Sequence, residues 1–148
     1  MWNYIKIMDT NKIISVISSL RNLANEFLIG ELKKEGVSNI APSHGHILNA
    51  LFENDGISMK EITEKINKKK NTVTVLIEKL TAQGFVRKGI DCSDKRTTLV
   101  FLTHKGKTLE KSFKDISTKL IDKAYNGFTE KEKSNLMMFL KRMETNFE

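Results

Sequence analysis

FVRKGIDCSDKRTTLVFLT, residues 85–103, contrasts with the rest of the chain. Two runs rich in β-branched and aromatic residues flank the charged connector CSDKR, a pattern typical of two strands joined by a turn. The stretch therefore predicts one β-hairpin in a chain that otherwise has the periodicity of helices. Its connector also holds Cys92, the single cysteine of the protein.

The segment in front of the hairpin predicts two helices joined by a short turn. Ser58 and Glu61 fit a capping box, so a short helix begins here. After NKKK, a second helix from about Lys70 to Gln83 places apolar residues on one face: Val73, Leu76, Ile77 and Leu80. Such a pair is a helix-turn-helix pattern, whose second helix lies in the DNA major groove. On this pattern alone, a plain helical pair with a polar surface is favoured over DNA binding, but the hairpin that follows favours a winged helix.

Longer helices are predicted on both sides of this region. The first starts near Asp9 to Asn11 and ends at Gly36, and Pro42 suits the first turn of another. Behind the hairpin, Thr103 caps a long helix, and a capping box at Thr129 to Glu132 opens the last one. That last helix is expected to bury Leu136, Leu140, Met143 and Phe147. The fold class is therefore mainly α with a small β-hairpin wing, in a single domain over residues 1–148.

Composition and charge limit the class of protein. With 39% hydrophobic and 29% charged residues, the chain has the composition of a soluble globular protein. It shows no membrane-length apolar run, and the opening MWNYIKIMDTNK has no secretory-signal pattern. A lone cysteine fits the reducing cytoplasm. Residues 58–108 hold 12 Lys and Arg against 5 Asp and Glu, while the rest of the chain is neutral. This basic region is the electrostatic footprint expected of a nucleic-acid-binding protein.

The outward residues at the start of the second helix are candidates for DNA contact. Lys68 and Lys70 suit phosphates, because a lysine is a mobile point charge. Asn71 can bond adenine through two hydrogen bonds. Thr72 or Thr74 can take a phosphate, a base edge or a thymine methyl.

The charged tip of the hairpin supplies the second group of candidates. Arg96 suits a narrow, electronegative minor groove. Lys88 and Lys95 are further cations of the hairpin and complete this group. Asp94 cannot bind DNA through its own charge, so we expect it to pair with an arginine or to cap the tight turn. In either role it fixes how the wing projects.

These residues resemble the MarR family of winged helix-turn-helix regulators over about residues 42–106. The family's wing signature is an Asp-x-Arg followed by Leu-Thr and a glycine, matched by Asp94, Arg96, Leu102, Thr103 and Gly106. Its recognition-helix pattern is a Thr-Val-Thr followed by a hydrophobic pair, matched by Thr72, Val73, Thr74, Leu76 and Ile77. Relatives often carry an arginine where this chain has Val75, which can instead touch a thymine methyl. They also often carry a proline in place of Cys92.

The resemblance implies a homodimer that binds double-stranded DNA. Residues of about 1–36 and 107–148 would interlace as dimerisation helices, and the last helix is apolar enough to need a partner. Two symmetric winged helices imply a pseudo-palindromic site with half-sites about one helical turn apart. The resemblance also implies a repressor that a small phenolic or lipophilic ligand releases from DNA. Arg21 or His46 is the polar group assigned to that ligand pocket.

The same residues also bear on four other possible functions: a metal site, an enzyme, a thiol switch and an interaction module. His44 and His46 stand two positions apart and face different sides of a helix, so no metal site and no cofactor are predicted. Without a phosphate loop or a nucleophile elbow, the chain is not expected to be an enzyme. Cys92 can act as a thiol switch if the nearby cations favour its thiolate, although redox members of the family carry their cysteine near the first helix. A winged-helix module for protein–protein contact or RNA binding is the remaining alternative.

Overall fold

The computed structural model describes residues 9–148. Residues 1–8 lie outside it, and they include most of the opening segment considered as a secretory signal and the start of the predicted N-terminal dimerisation region. A short 3-10 turn at Thr10–Lys12 precedes the main elements. These are α1 Ile13–Lys34, α2 Pro42–Glu53, β1 Ile57–Ser58, α3 Met59–Lys65, α4 Lys70–Ala82, β2 Val86–Ile90, β3 Thr98–Leu102, α5 His104–Ala124 and α6 Glu130–Thr145. The predicted fold class, mainly helical with a hairpin wing, is confirmed.

Local capping explains where three of the helices begin. The Ser58 hydroxyl accepts from the Glu61 N–H at 3.2 Å, and the Glu61 carboxylate accepts from the Ser58 N–H at 2.8 Å. Thr129 and Glu132 repeat this capping box at α6. At α5, the Thr103 hydroxyl accepts from the Gly106 N–H at 3.0 Å. These bonds satisfy N–H groups that a helix start leaves without intrahelical partners.

The sheet has three strands rather than the predicted two. Ile57 and Ser58 pair antiparallel with β3, so the strand order is β1-β3-β2. The additional strand is only two residues long and runs directly into the cap of α3. Such a short strand leaves no periodicity in the sequence, which is why the pattern did not reveal it. β3 is therefore the central strand of the sheet.

The core lies between α2, α4 and the inner face of the sheet. Val73, Ile77 and Leu80 of α4 are fully buried, as their spacing predicted. They pack with apolar residues of the other elements, among them Ile47, Leu48, Leu51, Val86 and Val100. Gly84, with a φ of +75°, ends α4 in the left-handed conformation that glycine adopts without strain. The chain can therefore turn at once into β2.

Helices α1 and α6 lie largely outside this core. α6 has no buried residue, and α1 buries only Leu32. The predicted burial of Leu136, Leu140, Met143 and Phe147 is therefore wrong for a single chain, in which Leu136 is 37% and Phe147 84% exposed. The physical reason is that Leu140, Met143 and Phe147 line an open groove of about 300 Å³, whose other wall within residues 9–148 is formed by Ile14 and Ile17 of α1. In the described part of the chain, no helix is both long and apolar enough to cross a membrane.

Candidate nucleic-acid interface

The turn between α3 and α4 exposes the positive end of α4. Asn67 has a φ of +49°, a left-handed conformation that asparagine tolerates better than most residues. α4 then begins at Lys70 without a side chain capping its first turn. The backbone N–H groups of that turn are therefore free to bond an anion. Lys68, Lys69 and Lys70 are exposed around them.

The residues of α4 that are predicted to contact DNA bases differ in exposure and in whether their polar groups are already hydrogen-bonded. Asn71 and Thr72 are exposed, and Val75 is 49% exposed. Thr74 is half-buried, and its hydroxyl donates to the Lys70 carbonyl at 3.0 Å. Its proton is therefore engaged, which leaves Thr74 an acceptor oxygen and a methyl group. Thr72 is the better placed of the two threonines to donate to a base edge.

Two aspartates organise the wing tip between β2 and β3. Asp94 accepts from the Arg96 N–H and from the Thr97 hydroxyl, both at 3.0 Å. Of the two roles considered for Asp94, this geometry is that of a turn cap. Asp91, which the sequence analysis did not single out, accepts from the N–H and the hydroxyl of Ser93 at 2.8 and 2.7 Å. These bonds hold the pKa of Asp91 below its usual value. Its Asp-x-Ser spacing is the signal that could have identified it.

In the described part of the chain, the cations predicted to contact DNA form no ion pair with an acidic residue. Within residues 9–148, no carboxylate lies within 4.0 Å of the amino or guanidinium nitrogens of Lys68, Lys70, Lys88, Lys95 or Arg96. On α5 and α6, by contrast, many lysines pair with acidic residues: Lys114, Lys119, Lys133 and Lys141. The positive charge of the chain is thus left uncompensated at the start of α4 and on the wing.

An open groove joins these two regions. It has a volume of about 460 Å³ and is lined by Ser58, Met59, Lys60, Thr63, Lys70, Arg96, Thr97 and Thr98. The groove brings Lys70 and Arg96, predicted separately, to the same cleft. It also adds Lys60, which the sequence analysis missed because nothing local marks it as facing the wing. The only carboxylate near Lys60 in the described chain is that of Glu64 at 4.0 Å, an exposed pair of little strength.

A smaller cavity lies between α1, α2 and α5, on the other side of the core. Its volume is about 70 Å³, and apolar side chains such as Leu28, Ile40 and Phe113 form most of its wall. Of the two ligand-pocket candidates, His46 lines this cavity and Arg21 does not. Known ligand pockets mostly measure about 300–1,000 Å³, so any ligand larger than a few atoms must displace wall residues.

The remaining candidates are the residues considered for a metal site and for a thiol switch. His44 is buried, and its Nδ1 accepts from the Ala41 N–H at 3.0 Å, capping α2. Burial lowers the pKa of His44, with a further contribution from the charge of Lys79. The described residues contain no cluster of three His, Cys, Asp or Glu side chains that could hold a metal ion. Cys92 is a free, exposed thiol in the wing turn.

Comparisons with known proteins agree with this geometry. Residues 41–87 match the family model for winged helix-turn-helix DNA-binding. The HTH-type transcriptional regulator YybA of Bacillus subtilis is 32% identical over 98 residues, which cover 66% of this chain. The match spans 65% of that relative, just under two thirds of its length.

Solved structures show the same fold over nearly the whole chain. A MarR transcriptional regulator from Methanosarcina mazei Go1 superposes with a TM-score of 0.77 at 26% identity, covering 92% of this chain and 96% of that one. A mutant of MarR from E. coli, complexed with operator DNA, gives a TM-score of 0.77 at 20% identity, covering 87% and 91%. The predicted resemblance is thus confirmed by sequence and by structure.

Proposed function

The chain belongs to the MarR type of winged helix-turn-helix regulators, and we propose that it is a homodimer that binds a pseudo-palindromic operator in double-stranded DNA. It represses transcription and is released by a small phenolic or lipophilic ligand. It acts by binding rather than by catalysis, and in the cytoplasm, where a regulator of this type meets its DNA.

The observation that carries the proposal is the set of unpaired cations on one surface. Lys68 and Lys70 lie beside the uncapped start of α4, and Arg96 lines the same groove as Lys70. A phosphate strand that enters this groove meets positive charge from both sides. In this pose Asn71 and Thr72 contact base edges in the major groove, while Arg96 contacts the adjacent minor groove. Val75 offers its exposed methyl groups to a thymine.

Dimerisation is supported by the apolar faces that one chain leaves open. On α1, Ile14, Leu20 and Leu23 are 58%, 59% and 60% exposed, and on α6 Phe139 is 50% exposed. Large apolar patches of this kind mark protein interfaces. A second copy that covers them brings two winged helices onto one duplex, which explains why the operator should be pseudo-palindromic.

Release by a ligand is supported by the position of the small cavity. Its wall includes Ile29 of α1, Asn49 of α2 and Ser117 of α5, so it borders both the proposed dimerisation helices and the winged helix. A ligand that enlarges this cavity changes how the two parts pack against each other. His46 is the polar group we assign to the ligand. Titrating phenol and short alkylphenols into the protein–duplex complex tests this step, and a bound fraction that never falls would contradict it.

The central experiment is selection of bound sequences from a pool of random duplexes. We expect an enriched pseudo-palindrome whose half-sites are centred about one helical turn apart. The selected duplex then serves for titrations at several salt concentrations. Replacing Arg96 with alanine should weaken binding to every sequence and reduce the salt slope by about 1 for each protomer, hence by about 2 for the dimer. Replacing Asn71 with alanine should instead relax specificity at one position of the half-site.

A matched control removes a cation elsewhere. Lys111 is exposed on α5, away from the groove and the wing, so alanine at this position should leave the salt slope unchanged. Equal effects of Arg96→Ala and Lys111→Ala would show that the interface is misplaced. A wild-type protein without salt-dependent affinity for any duplex would refute DNA binding itself and favour the protein-interaction alternative.

A further inference from the structure

An arginine outside the predicted DNA-binding set is held on the outer face of the wing. Arg87 of β2 stands directly opposite Phe101 of β3 in the antiparallel register. Its guanidinium carbon lies 4.5 Å from the centre of the Phe101 ring. Arg87 is exposed, and no carboxylate of residues 9–148 lies within 4.0 Å of it. The side chain is therefore an uncompensated cation in a defined position.

Two glycines provide the space for this stack. A Cβ on Gly89 would lie 2.9 Å from the Phe101 ring, and one on Gly56 would lie 2.5 Å from it. The ring can therefore cover the bare backbone of both neighbouring strands. The Arg87 Nη1 lies 3.8 Å from the place where a Gly89 Cβ would be, so the guanidinium extends along β2 toward the wing tip. A side chain at residue 89 would occupy that path.

The two faces of the wing carry one strand cation each. Successive residues of a strand point to opposite faces. Lys88 stands opposite Val100, which is fully buried, so Lys88 is on the inner face of the sheet. Arg87 stands opposite the half-buried Phe101 on the outer face. The wing thus carries a cation on each side at nearly the same distance from its tip.

The wing is longer than the minor groove is deep. From Arg87 to the end of β2 at Ile90 the chain rises by about 10 Å, at about 3.3 Å per residue, and the turn that carries Asp94 and Arg96 extends beyond that point. The minor groove of B-DNA is about 7.5 Å deep and about 6 Å wide. When the turn occupies the groove, residues 87 and 88 therefore stay at or above its rim, where the two phosphate backbones run.

We propose that Arg87 binds a phosphate on one rim of the minor groove while Lys88 binds the opposite rim, so that the wing is clamped between the two DNA strands. This inference rests on the proposed function, because it requires the wing to enter a duplex. Phe101 is a positioning residue: its ring supports one face of the guanidinium and leaves the N–H edge free. That planar edge can donate two parallel hydrogen bonds to a phosphate, which a lysine cannot do.

The test uses the duplex obtained by selection and two neutralised versions of it. In each version, uncharged methylphosphonates replace the phosphates along one rim of the minor groove at both wing positions, which the two-fold axis of the dimer places on opposite strands in the two half-sites. On the normal duplex at about 0.15 M salt, Arg87→Ala and Lys88→Ala should each weaken binding about fivefold per half-site, the effect of losing one phosphate contact, and so about 25-fold for the dimer. Neutralising one rim should abolish the effect of Arg87→Ala alone, and neutralising the other rim should abolish that of Lys88→Ala alone. Arg87→Lys should recover the salt slope but not the full affinity.

Three results would overturn the clamp. In the first, Arg87→Ala binds the normal duplex with wild-type affinity and salt slope. In the second, the same neutralised rim removes the effect of both variants, which would place both cations on one rim. In the third, Arg87→Ala melts at a lower temperature than wild type and neither neutralised rim removes its binding defect, which would make the arginine merely structural. If the wild-type protein binds no duplex, the proposed function fails as a whole, and that failure is distinct from wild-type binding without rim-specific loss.

Discussion

Replacing Asp94 with alanine removes a negative charge from the proposed DNA-binding surface, yet we expect DNA binding to weaken. The carboxylate holds the wing turn through two hydrogen bonds, to the Arg96 N–H and to the Thr97 hydroxyl, each at 3.0 Å. Without them the turn has more conformations available, and Arg96 must be ordered again when DNA binds. Loss of the two hydrogen bonds should therefore weaken DNA binding, whereas loss of the negative charge should strengthen it.

The magnitudes decide which effect is larger. A hydrogen bond contributes about 0.5–1.5 kcal/mol, and an exposed turn such as this one belongs near the lower end. Two bonds at about 0.7 kcal/mol each correspond to a tenfold change in affinity. Removing a negative charge about 8 Å from a phosphate makes the binding free energy more favourable by about 0.5 kcal/mol in water. Screening at physiological salt makes this gain smaller. The net expectation is a loss of affinity of about fivefold for each wing, and so of about 25-fold for the dimer.

Fluorescence anisotropy with the selected duplex measures this change. Asp94→Asn keeps one acceptor oxygen for the Arg96 N–H but loses the bond from Thr97, so its affinity should lie between those of wild type and Asp94→Ala. Asp115, exposed on α5 and free of ion pairs in the described chain, provides the charge-matched control Asp115→Ala. If Asp94→Ala binds as tightly as wild type or more tightly, the turn-capping role is refuted.

Three further predictions concern the core, a buried histidine and the dimer. Ile77 is fully buried, so Ile77→Ala should lower the free energy of unfolding by about 2–5 kcal/mol in urea titrations; a loss under about 1 kcal/mol would contradict the packing. Because folding lowers the pKa of His44, the unfolded chain binds more protons, and stability should fall as pH drops below about 6.5 through the folded pKa. His44→Gln should make the urea unfolding midpoint less dependent on pH in this range, whereas an unchanged dependence would exclude His44 as its source. Leu136→Lys places a charge on the open face of α6, so light scattering should show the mass of a dimer falling to that of a monomer; an unchanged mass would place the interface elsewhere.

Local patterns in the sequence were enough to predict the helices and the hairpin. The inner face of α4 followed from apolar residues at helical spacing, and Ile77 lies at the centre of the core as expected. The caps at Ser58 and Thr129 were visible because a capping box needs only residues three positions apart. The turn cap formed by Asp94 was recognisable for the same reason, since a tight turn keeps the residues that form it together in sequence.

Features that depend on distant residues were not accessible in this way. The contact of Gly56 with Phe101 joins two parts of the chain that only the three-stranded sheet brings together. Lys60 and Arg96, which are distant in sequence, line the same groove for the same reason. The apolar spacing of α6 correctly predicts an apolar face. Burial of Leu136, however, requires a surface that residues 9–148 of one chain do not supply. Hydrophobic periodicity identifies a face and cannot say what covers it.

The central position of β3 has a consequence for the DNA as well as for the protein. β3 is hydrogen-bonded on one edge to its wing partner and on the other to the strand that leads directly into α3. The base of the wing is therefore tied by backbone hydrogen bonds to the segment that starts the helix pair. For a protein that binds as proposed, these bonds restrict the spacing between its major-groove and minor-groove contacts. The twist of the duplex must match that spacing, so overwound or underwound DNA should bind more weakly, and the torsional state of the operator becomes part of what is recognised.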